Sequence, residues 1–394
     1  MALQSMLHHS IRAAVIVAML GTSSGIAYYI LSIWSATKFL RARKLDIVAA
    51  PSSFPPVSIL KPLKGTDPEI YESFRSHCLQ DYPRYEIIFG VNDRDDPALA
   101  LVARLKTEFP GCDIRSLVCP QLLGANVKVS NLAQMVSVAK YDHLVVNDSD
   151  IQVSTDYLRQ IIAPLQNPQV GLVTCLYRGV ALSTLGSRLE AVGISTDFSG
   201  GVLLAKELEG GIRFGLGSTL AFRRKDLEGI GGFPALADYL ADDYELGKRL
   251  AAQSLQIELA PLVVQTHLPA YSLRNFFKHQ LRWARSVRAS RARGYFGLIL
   301  TMGIPWALLG LLLTRGANWA WVLLAVALAA RLSMAAVVGR LVLQDRQIPS
   351  LLWLVPLRDV IALLVWVASY AGHKIHWRGD DFYLKDGKLV RISS

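Results

Sequence analysis

Residues Tyr141 to Asp150 read YDHLVVNDSD. The apolar run from Leu144 to Val146 is short enough for a buried strand, and it ends in Asp148 and Asp150, one position apart. Open α/β sheets hold their ligands in the crevice beyond the carboxyl ends of the strands, so a strand here delivers two carboxylates to that crevice. Paired hard oxygen donors suit Mg2+ or Mn2+, ions that neutralise phosphate. Aspartates after a strand are also common turn residues. The pair therefore takes its meaning from the sequence around it.

Upstream and downstream, strand and helix signals alternate from Phe54 to about Val264. Val57–Leu60, Tyr85–Asn92 (YEIIFGVN) and Gly171–Leu176 read as further strands. Thr66-Asp67-Pro68-Glu69 supplies a capping residue, a proline at the first helical position and an early acid. Asp96-Pro97 repeats that start for a helix to about Phe109, and another helix begins near Ser154. This order predicts an α/β fold with a mostly parallel sheet and helices on both faces. Asp93 ends the YEIIFGVN strand as Asp148 and Asp150 end theirs, and adjacent strand ends would bring these acids to one crevice. Lys128 and Asn131, in GANVKVSN, are read as preceding a helix, where a cation and backbone donors meet phosphate. Lys128 also reads as an ordinary solvated lysine. Asp242 and Asp243, in LADDYELGKRL, open a helix. They suit either the helix dipole or the work of a general base. No internal repeat, P-loop or GxGxxG is present.

The chain has 394 residues and is 52% apolar, an excess that is localised. One apolar segment runs from about Ile11 to Trp34 and is followed by Lys38, Arg41, Arg43 and Lys44. It is too long for a signal peptide and lacks a clear cleavage site, so it reads as an uncleaved anchor with its basic flank in the cytoplasm. Further apolar segments occupy roughly 296–314, 318–343 and 350–372, the last two long enough to cross a bilayer. Four crossings would put the basic tail (Lys374, His376, Arg378) opposite the first basic flank, against the positive-inside tendency. One non-crossing segment resolves this, and 296–314, interrupted by Pro305, is the candidate. Arg331, Arg340, Arg358 and Asp359 lie in or beside these segments, where charges are costly and face protein, water or a lipid headgroup.

Cys78, Cys112, Cys119 and Cys175 form no CxxC pair and accompany no His cluster, which indicates neither a zinc site nor a disulfide scaffold. A reduced cytosolic domain fits. The net charge of +11 suits a protein on an anionic membrane face, and no nucleic-acid motif appears. The stretch Tyr271–Arg293 carries seven Arg or Lys residues and no acid. Phe277, Leu281, Ala284 and Val287 form an apolar stripe at helical spacing. A basic face beside an apolar stripe is the pattern of a helix lying in the membrane interface.

Taken together, these stretches resemble the family 2-like and family 21 inverting glycosyltransferases. They are most similar to ceramide glucosyltransferases and the related bacterial hopanoid glycosyltransferases. VSILKPLKG (57–65), CLQDYPRYEIIFGVNDRDDPA (78–98), NVKVSNL (126–132), NDSD (147–150), GLGSTLAFRRKDLEGIGGF (215–233), ADDYELGKRL (241–250) and HQLRW (279–283) carry the resemblance. It implies a GT-A catalytic domain at 46–268, a Rossmann-like, mostly parallel sheet. A transmembrane anchor at 1–45 would precede it. An interfacial helix at 269–294, membrane segments at 295–375 and a basic tail at 376–394 would follow. By residue-wise match, Asp93 contacts the uridine of a UDP-sugar, with Lys128 as a further donor-binding residue. Asp148 and Asp150 hold the diphosphate through a divalent metal, Mg2+ or Mn2+, and Asp243 is the catalytic base. Arg282 and Trp283 close the site near diphosphate and acceptor. Position 279, where the family has Gln or Arg, is His279, which can still donate to phosphate.

The implied reaction moves a hexose from the UDP-sugar to a lipid hydroxyl in one inverting displacement, with glucose onto ceramide as first expectation. A UDP-hexosamine onto a hopanoid polyol is the second. A polysaccharide synthase would be expected to need more spans, and a transporter or receptor with a nucleotide-sensing domain is the non-enzyme alternative. The expected setting is an integral protein of the bacterial inner membrane with a cytoplasmic catalytic domain. Its partners are donor, lipid and membrane, without nucleic acid. Oligomeric state is not legible.

Overall fold

The computed structural model describes residues 2–46, 54–377 and 380–391. The chain forms two compact units. One comprises the chain to Phe39, Ser183–Leu204 and Tyr271–His373; the other comprises Leu40–Leu182, Ala205–Ala270 and the chain from Lys374.

The second unit is built on an eight-stranded sheet. Its strands are β1 (Val57–Leu63), β2 (Tyr85–Val91), β3 (Asp113–Val118), β4 (His143–Val146), β5 (Ile151–Gln152), β6 (Val170–Val180), β7 (Leu220–Arg223) and β8 (Gln256–His267), in spatial order β3-β2-β1-β4-β7-β6-β8-β5. β1 pairs in parallel with β2 and β4, β2 with β3, and β6 with β8. Such strands are covered on both faces, and all seven residues of β1 are buried, including Lys61. β7 runs antiparallel to β4, with Val146 opposite Leu220, so the segment entering β7 lies beside the end of β4.

Three local readings change. Asp67 does not cap a helix with its side chain: its Oδ2 accepts from Ser149 Oγ at 2.7 Å, and the helix begins at Ile70. Lys128 and Asn131 do not precede a helix but lie inside Val127–Val138. Its cap is Asn126, whose side chain accepts from the Val129 amide. The ends of β2 and β4 are not adjacent, because β1 lies between them.

A small antiparallel sheet completes this unit, from strands β9 (Lys374–Trp377), β10 (Asp380–Lys385) and β11 (Lys388–Arg391). Ile375, Phe382, Leu384 and Leu389 are its buried side chains. Asp386 and Gly387 turn β10 into β11 with φ of 49° and 78°, the left-handed pair that a two-residue hairpin turn requires.

The other unit is helical. His8–Arg43, Asn318–Val342 and Ile348–Ser369 are long and apolar enough to cross a membrane. Ala292–Thr301 and Gly303–Leu313 meet at 55°, a broken span or a re-entrant loop, at the segment interrupted by Pro305. Gly25 and Gly303 let backbones touch: a Cβ on Gly25 would lie 2.2 Å from the Gly303 Cα. Arg331 Nε and Nη2 each bond the Asp359 carboxylate at 2.9 Å, and Nη2 also reaches Thr196 Oγ1 at 3.2 Å. The Leu273–Ser290 helix starts at a Ser272 cap. It buries Phe276 among Leu189, Val192, Leu354 and Val355, whereas Phe277 and Val287 of the apolar stripe remain exposed.

Candidate active site

Because β1, β2 and β4 are parallel, their carboxyl ends share one edge of the sheet, and the start of antiparallel β7 joins them there. Asp148 and Asp150 follow β4. Asp148 Oδ1 pairs with Lys128 Nζ at 2.8 Å, and its side chain is 42% exposed. Asp150 is enclosed and accepts a bond from Thr266 of β8. Burial, with Asp148 as the next cause, pushes the Asp150 carboxyl up to about 6.

Asp243 reaches the same edge from the first turn of the Asp242–Ala252 helix. Its Oδ2 accepts from the Gly217 amide at 2.7 Å and its Oδ1 from the Tyr244 amide at 2.8 Å. Gly215 N also donates to the Asp243 carbonyl at 3.2 Å, tying the segment before β7 to this residue. A Cβ on Gly217 would stand 2.9 Å from Asp148 Oδ2 and 3.2 Å from Asp243 Oδ2, so the two carboxylates converge over bare backbone. Burial first and Asp242 second raise Asp243 to about 6, against the lowering effect of Lys128.

Two ammonium groups serve this acid cluster. Lys128 bridges Asp148 and Asp242, the latter at 3.2 Å. Burial works against its charge, but Asp148, Asp242 and Asp243 outweigh that and hold it above its ordinary value. Lys61, on β1, is fully buried and its Nζ donates to the Asp148 carbonyl at 3.1 Å. Burial lowers it to about 7, with Asp150 and Asp148 opposing. Lys61 carries no role in the sequence reading. The available signal is a lysine inside VSILKPL, a strand buried along its whole length.

Asp93 sits past β2, exposed, with Oδ1 accepting from the Asp95 amide at 3.0 Å as in a turn. Arg282, Trp283 and His279 lie on the Leu273–Ser290 helix of the helical unit. The His279 ring stacks on Tyr271 with centroids 5.4 Å apart and tilts against Trp283 at 5.7 Å. Its Nδ1 is 3.5 Å from the buried Glu190 Oε1. Trp283 also meets Phe198 edge-on. Arg282 is half-buried.

Among the described residues no three His, Cys, Asp or Glu side chains form a ready metal shell. Asp148 and Asp150 nevertheless fit a divalent cation as part of a shell. They are hard donors, and the suppressed ionisation of Asp150 is what a nearby cation would relieve.

The sequence places the chain in a family: it belongs to glycosyl transferase family 21, whose model matches residues 17–390. Among curated relatives, ceramide glucosyltransferase 3 of Caenorhabditis elegans is 25% identical over 251 residues, 64% of this chain and 54% of that protein. The ceramide glucosyltransferase of Komagataella phaffii is 35% identical over 132 residues, 32% of this chain and 25% of that protein. The chain thus spans about half the length of the nematode relatives it matches. A mannosyltransferase from Pyrobaculum calidifontis, solved in complex with GDP-Man and Mn2+, shares the fold. Its TM-score is 0.53 at 21% identity, covering 91% of this chain and 99% of that one.

Proposed function

We propose that this protein is a membrane-bound inverting glycosyltransferase that moves glucose from UDP-glucose to a hydroxyl of ceramide. The observation that carries this reading is the convergence of Asp148 and Asp243 over Gly217, with Lys128 holding Asp148 from the other side. Family membership and relatives named ceramide glucosyltransferase support the choice of donor and acceptor. The basic residues Lys38, Arg41 and Arg43 at the C-terminal end of the first candidate span favour a cytoplasmic catalytic unit.

Asp243 acts as general base. Its carboxylate, fixed by two backbone amides, takes the acceptor's proton as the hydroxyl oxygen attacks the anomeric carbon opposite the diphosphate. The new C–O bond forms as the bond to the diphosphate oxygen breaks. UDP departs with that electron pair, and the α-linked donor becomes a β-glycoside. Lys128 orients Asp148 and adds positive charge beside the departing phosphates. Asp148 and Asp150 would hold a divalent cation that neutralises charge on the leaving diphosphate. Asp93 is assigned to the uridine, and Arg282 and Trp283, with His279, to the diphosphate and acceptor, by their places in the family motifs.

The test is mass spectrometry of lipids after incubating the purified full chain with a panel of UDP-sugars and vesicles containing ceramide or a hopanoid polyol. Hexosylceramide from UDP-glucose is expected. Product from a UDP-hexosamine and the polyol alone would reassign both substrates, and polymer formation would indicate a polysaccharide synthase. UDP release that ignores added lipid would overturn lipid transfer.

A further inference from the structure

The C-terminal strands follow the last membrane helix in sequence, yet they belong to the catalytic unit, and their free edge is occupied. Residues 238–240 pair antiparallel with β11: the Leu389 amide donates to the Asp238 carbonyl at 2.7 Å, and the Leu240 amide donates to the Gly387 carbonyl at 3.3 Å. Lys388 packs over the Tyr239 ring at 5.4 Å. A crevice of about 420 Å³ opens between β11 and Leu122, Gly124 and Ala125, with Asp238 on its wall.

The same segment is gripped from its other side. The Asn126 amide donates to the Ala237 carbonyl at 2.7 Å, and the Ala125 amide donates to Asp238 Oδ1 at 3.0 Å. Asn126 is fully buried. Its Nδ2 donates to the Tyr239 carbonyl at 2.8 Å and reaches Asp242 Oδ1 at 3.5 Å, while its Oδ1 caps the helix that carries Lys128. The chain of contacts therefore runs from β11 through 238–240 to Asn126, Asp242 and Lys128, and ends on Asp148.

We propose that the β10–β11 hairpin and Asn126 form a two-sided clamp on residues 237–240 that positions Asp242 and Asp243 against Lys128 and Asp148, with Asp238 as its joint. This inference rests on the assignment of Asp243 as base. Asp238 touches no reacting atom; it is a positioning residue.

The experiment uses the full chain in lipid nanodiscs. Hydrogen exchange on the wild type should find the amides of Asn126, Leu240 and Leu389 slow, and free exchange at Leu240 and Leu389 overturns the clamp without any variant. Asp238→Ala should lower kcat about 10- to 100-fold, as small displacements of a reacting group do, with donor KM changed less than about threefold. It should also speed exchange at the Gly217 and Tyr244 amides that hold Asp243. Asp238→Asn, whose amide oxygen can still accept from Ala125, should recover most of the rate. Wild-type kcat in Asp238→Ala, or faster exchange confined to the hairpin, overturns the proposal. If the wild type transfers no sugar, the functional reading fails, and exchange at Gly217 and Tyr244 in Asp238→Ala still decides the clamp.

Discussion

The carboxylates of Asp148 and Asp243 approach each other over Gly217, where a single added methyl would lie 2.9 Å from one and 3.2 Å from the other. The Gly217 amide also donates to Asp243, so this glycine both spaces the acids and anchors one of them.

Gly217→Ala is therefore expected to push the two carboxylates apart while leaving the sheet intact. Transfer should fall about 100-fold, in the range that misplacement of a catalytic group costs. Kinetics alongside circular dichroism checks this; an alanine variant with wild-type turnover would remove Gly217 from the site.

Asp243→Asn keeps one acceptor oxygen, enough for either the Gly217 or the Tyr244 amide, but cannot take a proton. The rate should drop about 10²- to 10⁴-fold with UDP-sugar affinity within a few-fold. In the wild type, Asp243 works only when ionised. With its carboxyl raised to about 6, the rate should fall roughly tenfold per pH unit below that value and level off above it. Asp242 is one of the causes of that rise, so Asp242→Asn should move the acidic limb to lower pH. A limb that stays in place or moves up would contradict the electrostatic account.

Chelation should abolish transfer, and Mg2+ or Mn2+ should restore it. Asp150→Ala should raise the cation concentration needed for half-activity. Since Asp150 must shed its proton to meet a cation, that concentration in the wild type should climb as pH falls below about 6. Full activity after exhaustive chelation would leave Asp148 and Asp150 to Lys128 and Lys61.

His279→Gln should retain more activity and thermal stability than His279→Phe. Glutamine can offer the buried Glu190 a donor beside that of Gln280, whereas phenylalanine keeps only the stacking on Tyr271 and Trp283. Gln280 keeps donating to Glu190 in both variants, so the difference should be about 1 kcal/mol. Melting temperatures of the two variants rank the contributions, and the reverse order would make His279 a stacking residue.

Strands β1, β2, β4 and β6 were legible because each holds an apolar run near turn residues, whereas β3, reading DIRSLV, and β8, reading QIELAPLVVQTH, interleave polar residues and were not read. The acids after β4 were legible because carboxylates close such a run. Lys61 was hidden by the same logic: one cation in a buried strand looks like noise until Asp148 and Asp150 are seen beside it. Asp67-Pro68 imitates a helix start so well that its side-chain bond to Ser149, 82 positions away, left no local trace. Composition drew the eye to the basic residues of the C-terminal stretch. Yet Phe382 and Leu384 alternate with exposed neighbours ahead of an Asp-Gly turn, a strand signal of period two. The join between β11 and residues 238–240 is made by main-chain atoms, which side-chain patterns do not encode.

The Arg331–Asp359 pair bears on how this protein enters a bilayer. Each charge sits in a different apolar helix, and presented singly to the translocon each would oppose partitioning by about 2.5–3.5 kcal/mol. Only a short loop separates the two helices, so the second can arrive while the first is still at the lateral gate, and the charges can cancel before either meets lipid. The segments 318–342 and 348–369 should thus integrate as one unit. Each alone should integrate less efficiently in a glycosylation-mapping assay than the two in tandem. Asp359→Leu should improve integration of its own helix in isolation yet weaken the assembled protein, where the buried Arg331 would lose the carboxylate it holds with two hydrogen bonds.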